Sequence, residues 1–379
     1  MSPSSSPNLK IQKGNIRVLL AFDVGFEIRL SQISQIFSSR QRNTTRHRTT
    51  SRAWGRDTQP ICLEYDSCEI FLLGRLRRFE TQISFFDIGA ISVELKTTLS
   101  DDFSELPHMA EAIVHSRDLL HAGREILQQI FKKASPAIIK PDAFPEPAVF
   151  TLFHIQELTE EIKVDKVIEL MGAELAHTMR SSMESMSQNE AVRSLGTFVS
   201  YSDFDAVFCS ENVGLILDQE ETEEVLDVFE LANVQLVELG FLDKTLEKVL
   251  MNLYEEKEQQ KNIFKRVFRS SEREAEKLNS VHIDATLIME RVEQGFKIAQ
   301  DPYLVRIHEL CVQKRYLSSL VKALDRKLVA IRDIFSDQRS RTSNLRMEIM
   351  EIIIIVLISL EFLPMLERYL FLIKNKLFP

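Results

Sequence analysis

The chain has 379 residues, 44% hydrophobic and 27% charged, with a formal net charge of -9. That leaves room for one to three domains with ample core, and the composition excludes an intrinsically disordered chain. Residues 1–56 hold ten Lys or Arg against only Asp23 and Glu27, a local +8, so everything after them carries about -17. Such an acidic body argues against general nucleic-acid binding, because neutralising phosphate needs basic surface.

Residues 1–56 read as a basic flexible segment or a targeting leader: SSRQRNTTRHRTTSRAWGR has the arginine-rich, acid-poor character of organelle leaders. Ile16–Phe22 inside it has the pattern of a short strand. The apolar run and cleavage pattern of a secretory signal are missing, which argues against secretion.

Residues 57–220 read as a mixed α/β domain. Strands are expected at 67–74 and 82–95, with Phe85, Phe86, Ile88, Ile91 and Val93 gathered around Gly89, a position for a bend or a close backbone approach. The Phe-Asp-x-Gly run there is not a kinase metal motif, since no glycine loop or catalytic-loop signature accompanies it. Residues 107–133 have helical periodicity. His108, His115 and His121 fall seven and six residues apart, not at the i, i+4 spacing of a zinc helix, and read as surface or packing histidines.

Pro136, Pro141, Pro145 and Pro147 forbid a helix through 135–150, which reads as a linker or extended edge and a candidate internal boundary. Residues 159–187 are helical again, with Met171, Met179, Met183 and Met186 as adaptable packing. Phe198–Tyr201, Ala206–Cys209 and Val213–Leu217 return to strand pattern with Asp, Ser and Asn at the turns. Asp203, Asp205 and Asp218 could be imagined as a metal triad, but aspartates at turns and strand ends are far commoner. Cys62, Cys68, Cys209 and Cys311 form no Cys-x-x-Cys pair, and read as buried free thiols in a reducing compartment.

Residues 221–345 carry apolar residues at mixed spacings of three and four, the mark of a helical bundle or coiled coil. Asp301 and Pro302 read as N-cap and first residue of a helix running past Ile331. The heptad does not persist long enough to fix an oligomer number. A protein partner or homo-oligomer through this region is the expectation. The chain closes on an apolar segment, 346–374. From Ile349 to Leu366 there are 18 residues with two carboxylates, against about 20 apolar residues for a spanning helix. It reads as a membrane-anchor candidate or as a helix buried in a helical core, and four consecutive isoleucines argue against one wet side.

The strand motif SFFDIGAISVE (84–94), the stretch Leu231-Ala232 through Leu242-Asp243, DPYLVRIHELCVQKRYLSSLVKALDRKLVAIRDIF, and SNLRMEIMEIIIIVLISLEF together resemble the family of proteins required for meiotic nuclear division. That family's members include mitochondrial inner-membrane proteins that support mitochondrial translation. The resemblance carries over Arg346, Glu348 and Glu361, with Glu351 beside them, as membrane-proximal residues. It departs from the family in having no tryptophan beside the terminal isoleucines. It implies a membrane placement, the mitochondrial inner membrane in a eukaryote or the cytoplasmic membrane in a bacterium.

The fold expectation is α+β: a small sheet with packed helices, then a long helical bundle or coiled-coil region, then an apolar C-terminal helix. The functional expectation is a non-enzymatic membrane-anchored scaffold or assembly protein, with a role in organellar translation implied by the resemblance. No cofactor, metal or catalytic residue is implied. The alternatives are a hydrolase or nucleotide-dependent enzyme with an unrecognised site, or a soluble RNA- or ribosome-associated helical protein. Neither a P-loop, a dinucleotide glycine turn nor a Gly-x-Ser-x-Gly elbow supports the first.

Overall fold

The longest unbroken apolar stretch in the front half, Val18 to Phe22, lies in the middle strand of the large sheet. The structure is a computed structural model that describes residues 9–38, 59–142, 146–219, 223–259, 283–290 and 301–334, with single positions at 280 and between 336 and 355. The chain forms two compact units: Met1–Asp243 with Thr286–Lys322, and Lys244–Ala285 with Ala323–Pro379.

In the first unit the strands are β1 (Ile11–Asp23), β2 (Gly25–Ile28), β3 (Ile61–Leu72), β4 (Arg75–Phe85), β5 (Ala90–Leu99), β6 (Ile138–Pro141), β7 (Ala148–Leu158), β8 (Ala206–Cys209) and β9 (Val213–Leu217). The helices are α1 (Leu30–Ile36), α2 (Leu106–Val114), α3 (Arg117–Ala134), α4 (Val164–Arg180), α5 (Gln188–Leu195), α6 (Glu223–Gln259), which continues into the second unit from Lys244, and α7 (Pro302–Lys314). Seven strands make one sheet in the order β3-β4-β5-β1-β7-β9-β8, while β2 and β6 pair separately. Every neighbouring pair of the large sheet is antiparallel except β7 with β9.

Because side chains alternate along a strand, β1 feeds two cores. Ile16, Val18, Leu20 and Phe22 join one with Ile113, Ile126, Ile130 and Leu175 from α2, α3 and α4. Leu19 and Ala21 join the other with Phe150, Val207 and Ile216 of the sheet, Val225, Phe229 and Ala232 of α6, and Leu304, Ile307 and Cys311 of α7. A sheet covered on both faces demands continuous rather than alternating apolar strands, and β1 shows it. The strand expected at Ile16–Phe22 is therefore the middle of a longer one, and the front of the basic segment, from Ile11, is built into the fold. Residues 39–58, with the arginine run, lie outside the described residues.

Several expectations need local correction. The strand pattern across 67–95 resolves into three strands, with a hairpin turn at Leu73–Gly74 and a second turn at Gly89. The helix expected over 107–133 breaks at His115–Ser116, where the Ser116 hydroxyl accepts the Leu119 N–H at 3.3 Å and starts α3. The proline-rich stretch holds the short strand β6, and its last residues, from Ala148, begin β7, a neighbour of β1. Asp301 caps α7 through Tyr303 N–H at 2.8 Å, with Pro302 following. That helix ends at Arg315, and Tyr316 has a φ of 57°, so it is separate from helical residues 317–334.

The coiled coil is overturned among the described residues. Every residue of α6 from Val225 to Gln235 is buried, so that part of the helix is enclosed on all sides rather than along a two-position seam. The apolar residues of α6 and α7 cover the sheet, which removes the basis for a protein partner or homo-oligomer through 221–345. In the second unit Leu246, Leu253, Leu324, Leu328 and Ile331 are buried, and Lys327 pairs with Glu247 at 3.8 Å.

The membrane reading is overturned as well: among the described residues no helix is long and apolar enough to cross a membrane. The window from Ile349 to Leu366 already fell short, with two carboxylates and Pro364 inside it. Glu351, Ile352, Ile354 and Ile355 are helical and exposed; Arg346, Glu348 and Glu361 lie outside the described residues. The apolar spanning helix, the membrane-anchored scaffold, the membrane partner and the mitochondrial or cytoplasmic membrane placement all lose their footing with it.

Candidate functional site

The loop between α5 and β8, Gly196–Asp205, sits where the sequence places Ser, Asp and Gly between two ordered elements. Gly196 ends α5 with a φ of 58° and its N–H on Val192 O at 3.1 Å. Val199 then pairs with Val207 in a single bridge, at 3.0 and 2.8 Å, and the Phe198 ring rests 5.0 Å from that of Phe208. The chain between must turn back within seven residues, and one carboxylate organises that turn.

Asp205 is buried. It accepts the Tyr201 N–H at 2.9 Å, the Ser202 N–H, and the phenol of Tyr303 on α7 at 2.9 Å. The Ser202 hydroxyl accepts the Phe204 N–H at 3.2 Å. On the far side Asp203 carries Lys163 at 2.7 Å and its carbonyl takes the Val164 N–H at 2.9 Å. The loop is thus tied to α4 and α7 at once. Its aromatic side chains still face outward: Tyr201 is 82% exposed and Phe204 43%. The Tyr201 ring meets that of Tyr303 edge to face, 5.9 Å between centroids at 74°, and the Arg306 guanidinium stands 5.8 Å from the Tyr303 ring.

Burial works to raise the pKa of Asp205, but the donors of Ser202, Tyr201 and Tyr303 outweigh it and leave the carboxyl below its ordinary value. Burial, the bond to Asp205, and the charges of Asp205 and Asp218 push the Tyr303 phenol far up, against a smaller opposing effect of Arg306. Tyr303 therefore stays a neutral donor and Asp205 a charged acceptor. Of the three aspartates weighed as a metal triad, Asp205 holds a turn, Asp203 holds a lysine, and Asp218 adds charge near Tyr303. Among the described residues no group of three His, Cys, Asp or Glu could hold a metal ion. His108 and His121 are exposed on different helices, and His121 faces Glu125 at 3.4 Å.

Two buried polar nodes lie under the sheet and fix its helices. Asn233 of α6 donates to Leu19 O at 3.2 Å and Ala148 O at 2.9 Å, and accepts from Arg315 at 2.8 Å. Arg315 also donates to Glu211 O at 3.2 Å and lies 4.6 Å from the Phe150 ring centroid. Beside it the sulfurs of Cys209 and Cys311 are 3.9 Å apart. The other node is the buried pair Arg17–Glu94 at 2.8 Å, with Glu223 of α6 at 3.6 Å. His308, held neutral by burial with its pKa lowered to about 4, sits 3.3 Å from Gln235 Oε1. At the end of β1 the Asp23 carboxyl is raised to about 8 by burial, and further by the charge of Asp142, against the Gly25 N–H it accepts.

Sequence reading saw the aspartates of the loop and the cap of α7 separately. It missed that Tyr303 and Asp205 meet, and that Cys209 and Cys311 meet, because each pair is about a hundred residues apart in the chain. Short-range spacing carries no trace of such contacts.

A family model described as "Uncharacterized protein MJ0711, N-terminal domain" matches residues 13–223. Uncharacterized protein MJ0711 of Methanocaldococcus jannaschii is 21% identical over 245 residues, which is 64% of this chain and 74% of that protein. No solved structure matches the chain. The match overturns the resemblance to proteins required for meiotic nuclear division, and with it the mitochondrial and translational expectations.

Proposed function

The chain belongs to the family of the N-terminal domain of Uncharacterized protein MJ0711, and from that premise we propose that it works by binding, holding a basic segment of another protein against the aromatic loop 198–205. The observation that carries this reading is the exposure of Tyr201 and Phe204 on a loop braced by Asp205. Ordinary surface loops give up conformational freedom when they bind; a loop already fixed at both flanks loses little. Tyrosine and arginine offer large contact area for few rotatable bonds and are enriched where binding energy concentrates, and Tyr201, Tyr303 and Arg306 supply both types.

Charge selects the partner class. Asp205 and Asp218 act on the Tyr303 phenol and Asp301 caps its helix two residues earlier, on a chain whose net charge is -9. Those carboxylates repel phosphate, which disfavours base stacking by a nucleic acid. They attract Lys and Arg, whose cations also sit well on tyrosine and phenylalanine faces.

A photo-crosslinking amino acid in place of Phe204, in the full chain in its native cells, tests the reading. The expected product is a discrete adduct with a different protein, joined at a peptide rich in Lys or Arg. Binding of the purified pair then weakens about tenfold or more in a Tyr201→Ser, Phe204→Ser variant and also falls with added salt. Adducts with copies of this chain alone, or with peptides lacking basic residues, would sink the proposal.

A further inference from the structure

Cys209 ends β8 and Cys311 lies in α7, both fully buried as free thiols, with their sulfurs 3.9 Å apart. We propose that this pair is a modification site, joined into a disulfide by a peroxide-class oxidant so that α7 is fastened covalently to the edge of the sheet. The separation is that of two thiols in contact, and an S–S bond is about 2 Å long, so the sulfurs have roughly 2 Å to close. The surroundings favour the reacting form once oxidant reaches it. Arg315, one turn beyond Cys311, places its positive charge beside both sulfurs, and a thiolate, not a thiol, is the nucleophile. Burial opposes this by holding the Cys311 thiol well up, so the reaction proceeds through an opening of α7 and is slow in the closed fold.

The step balances. One thiolate attacks a peroxide oxygen, forming a sulfenic acid, with the other oxygen leaving as hydroxide and taking up the thiol's proton to become water. The second sulfur displaces the sulfenic oxygen as a further water, forming the S–S bond. Two thiols lose two protons and two electrons, and one peroxide becomes two waters. Cys62 and Cys68, both on β3, face different partners: Cys62 lies 3.5 Å from Ser84 Oγ and Cys68 4.0 Å from Thr81 Oγ1.

The test treats the full folded chain with hydrogen peroxide, blocks remaining thiols under denaturing conditions, and maps peptides without reduction. The expected result is an intramolecular species lighter by two hydrogens, with Cys209 and Cys311 in one linked peptide and a higher thermal midpoint reversed by dithiothreitol. A Cys62→Ser, Cys68→Ser variant keeps the linkage, and a Cys311→Ala variant loses it. If Cys311→Ala does not fold, the wild-type peptide map decides alone. Linkage between Cys62 and Cys68, linkage only between chains, or sulfinic and sulfonic acids without a Cys209–Cys311 peptide each overturns the proposal.

Discussion

Asp205 gathers the N–H groups of Tyr201 and Ser202 and the phenol of Tyr303 on one carboxylate, and its removal leaves all three without their acceptor. Stranded polar groups at partly buried positions cost about 1–3 kcal/mol each when water cannot replace the bond. Tyr201 is largely exposed, which lets water offset part of that loss, so Asp205→Ala is expected to lower the unfolding free energy by about 2–4 kcal/mol in urea titrations. A loss below about 0.5 kcal/mol would mean the carboxylate is not the brace described. The folded protein holds Asp205 ionised more strongly than the unfolded chain does. Its contribution is therefore complete above the unfolded value near ~4 and drains as pH falls through the lower folded value. Asp205→Asn, unable to ionise, is expected to show a shallower loss of stability in that acid window. The aspartate was legible as a turn residue from its setting between two strands. Its phenolic partner was not, because nothing local to Asp205 points to Tyr303.

Elements rather than residues decide what the sequence could show. β8 and β9 were expected at Ala206–Cys209 and Val213–Leu217 and stand there, because short apolar runs bounded by Asp, Ser and Asn have clear ends. The bend at Gly89 was also legible, and the structure supplies its reason. Gly89 has a φ of 111°, and a Cβ there would collide with the Gly25 carbonyl oxygen. This close approach lets Val24 N–H reach Gly89 O at 3.0 Å and Ile28 N–H reach Asp87 O at 3.1 Å, binding the β1–β2 corner to the β4–β5 turn. Gly89→Ala combines an unfavourable backbone region with a backbone clash that no side-chain rotation relieves. A loss of about 3 kcal/mol or more is expected from thermal or urea unfolding; a variant as stable as the parent would show that the corner can separate without harm. By contrast α6 was misread in kind. Its mixed spacing of apolar residues suits a bundle equally well, and the buried Asp227, Glu230, Asn233, Gln235 and Glu238 look like a solvated face until the fold encloses them.

At the scale of the molecule, the family match over residues 13–223 contains every strand of the sheet yet stops where α6 begins. The sheet face bearing Leu19, Ala21, Phe150, Leu152, Val207 and Ile216 is covered by α6 and by α7, the latter arriving from residues 302–314. A chain ending at residue 223 keeps the helices of the opposite face but leaves this one open to water. At about 25 cal/mol per Å2 of apolar surface, an uncovered sheet face of that composition forfeits an amount comparable to the whole stability of an ordinary domain. A fragment of residues 9–223 is therefore expected to aggregate or to bind the dye ANS strongly. A chain ending at residue 322, which adds α6 and α7, is expected to elute as a compact species with little dye bound. Cooperative unfolding of the short fragment, without dye binding, would show that the sheet needs only one helical layer. In that case Asn233 and Arg315 would be latches on a finished domain, and the Cys209–Cys311 contact would join an accessory helix to it. If instead the short fragment fails and the longer one folds, α7 is part of the domain itself, and the aromatic loop that leans on Tyr303 depends on residues outside the matched region.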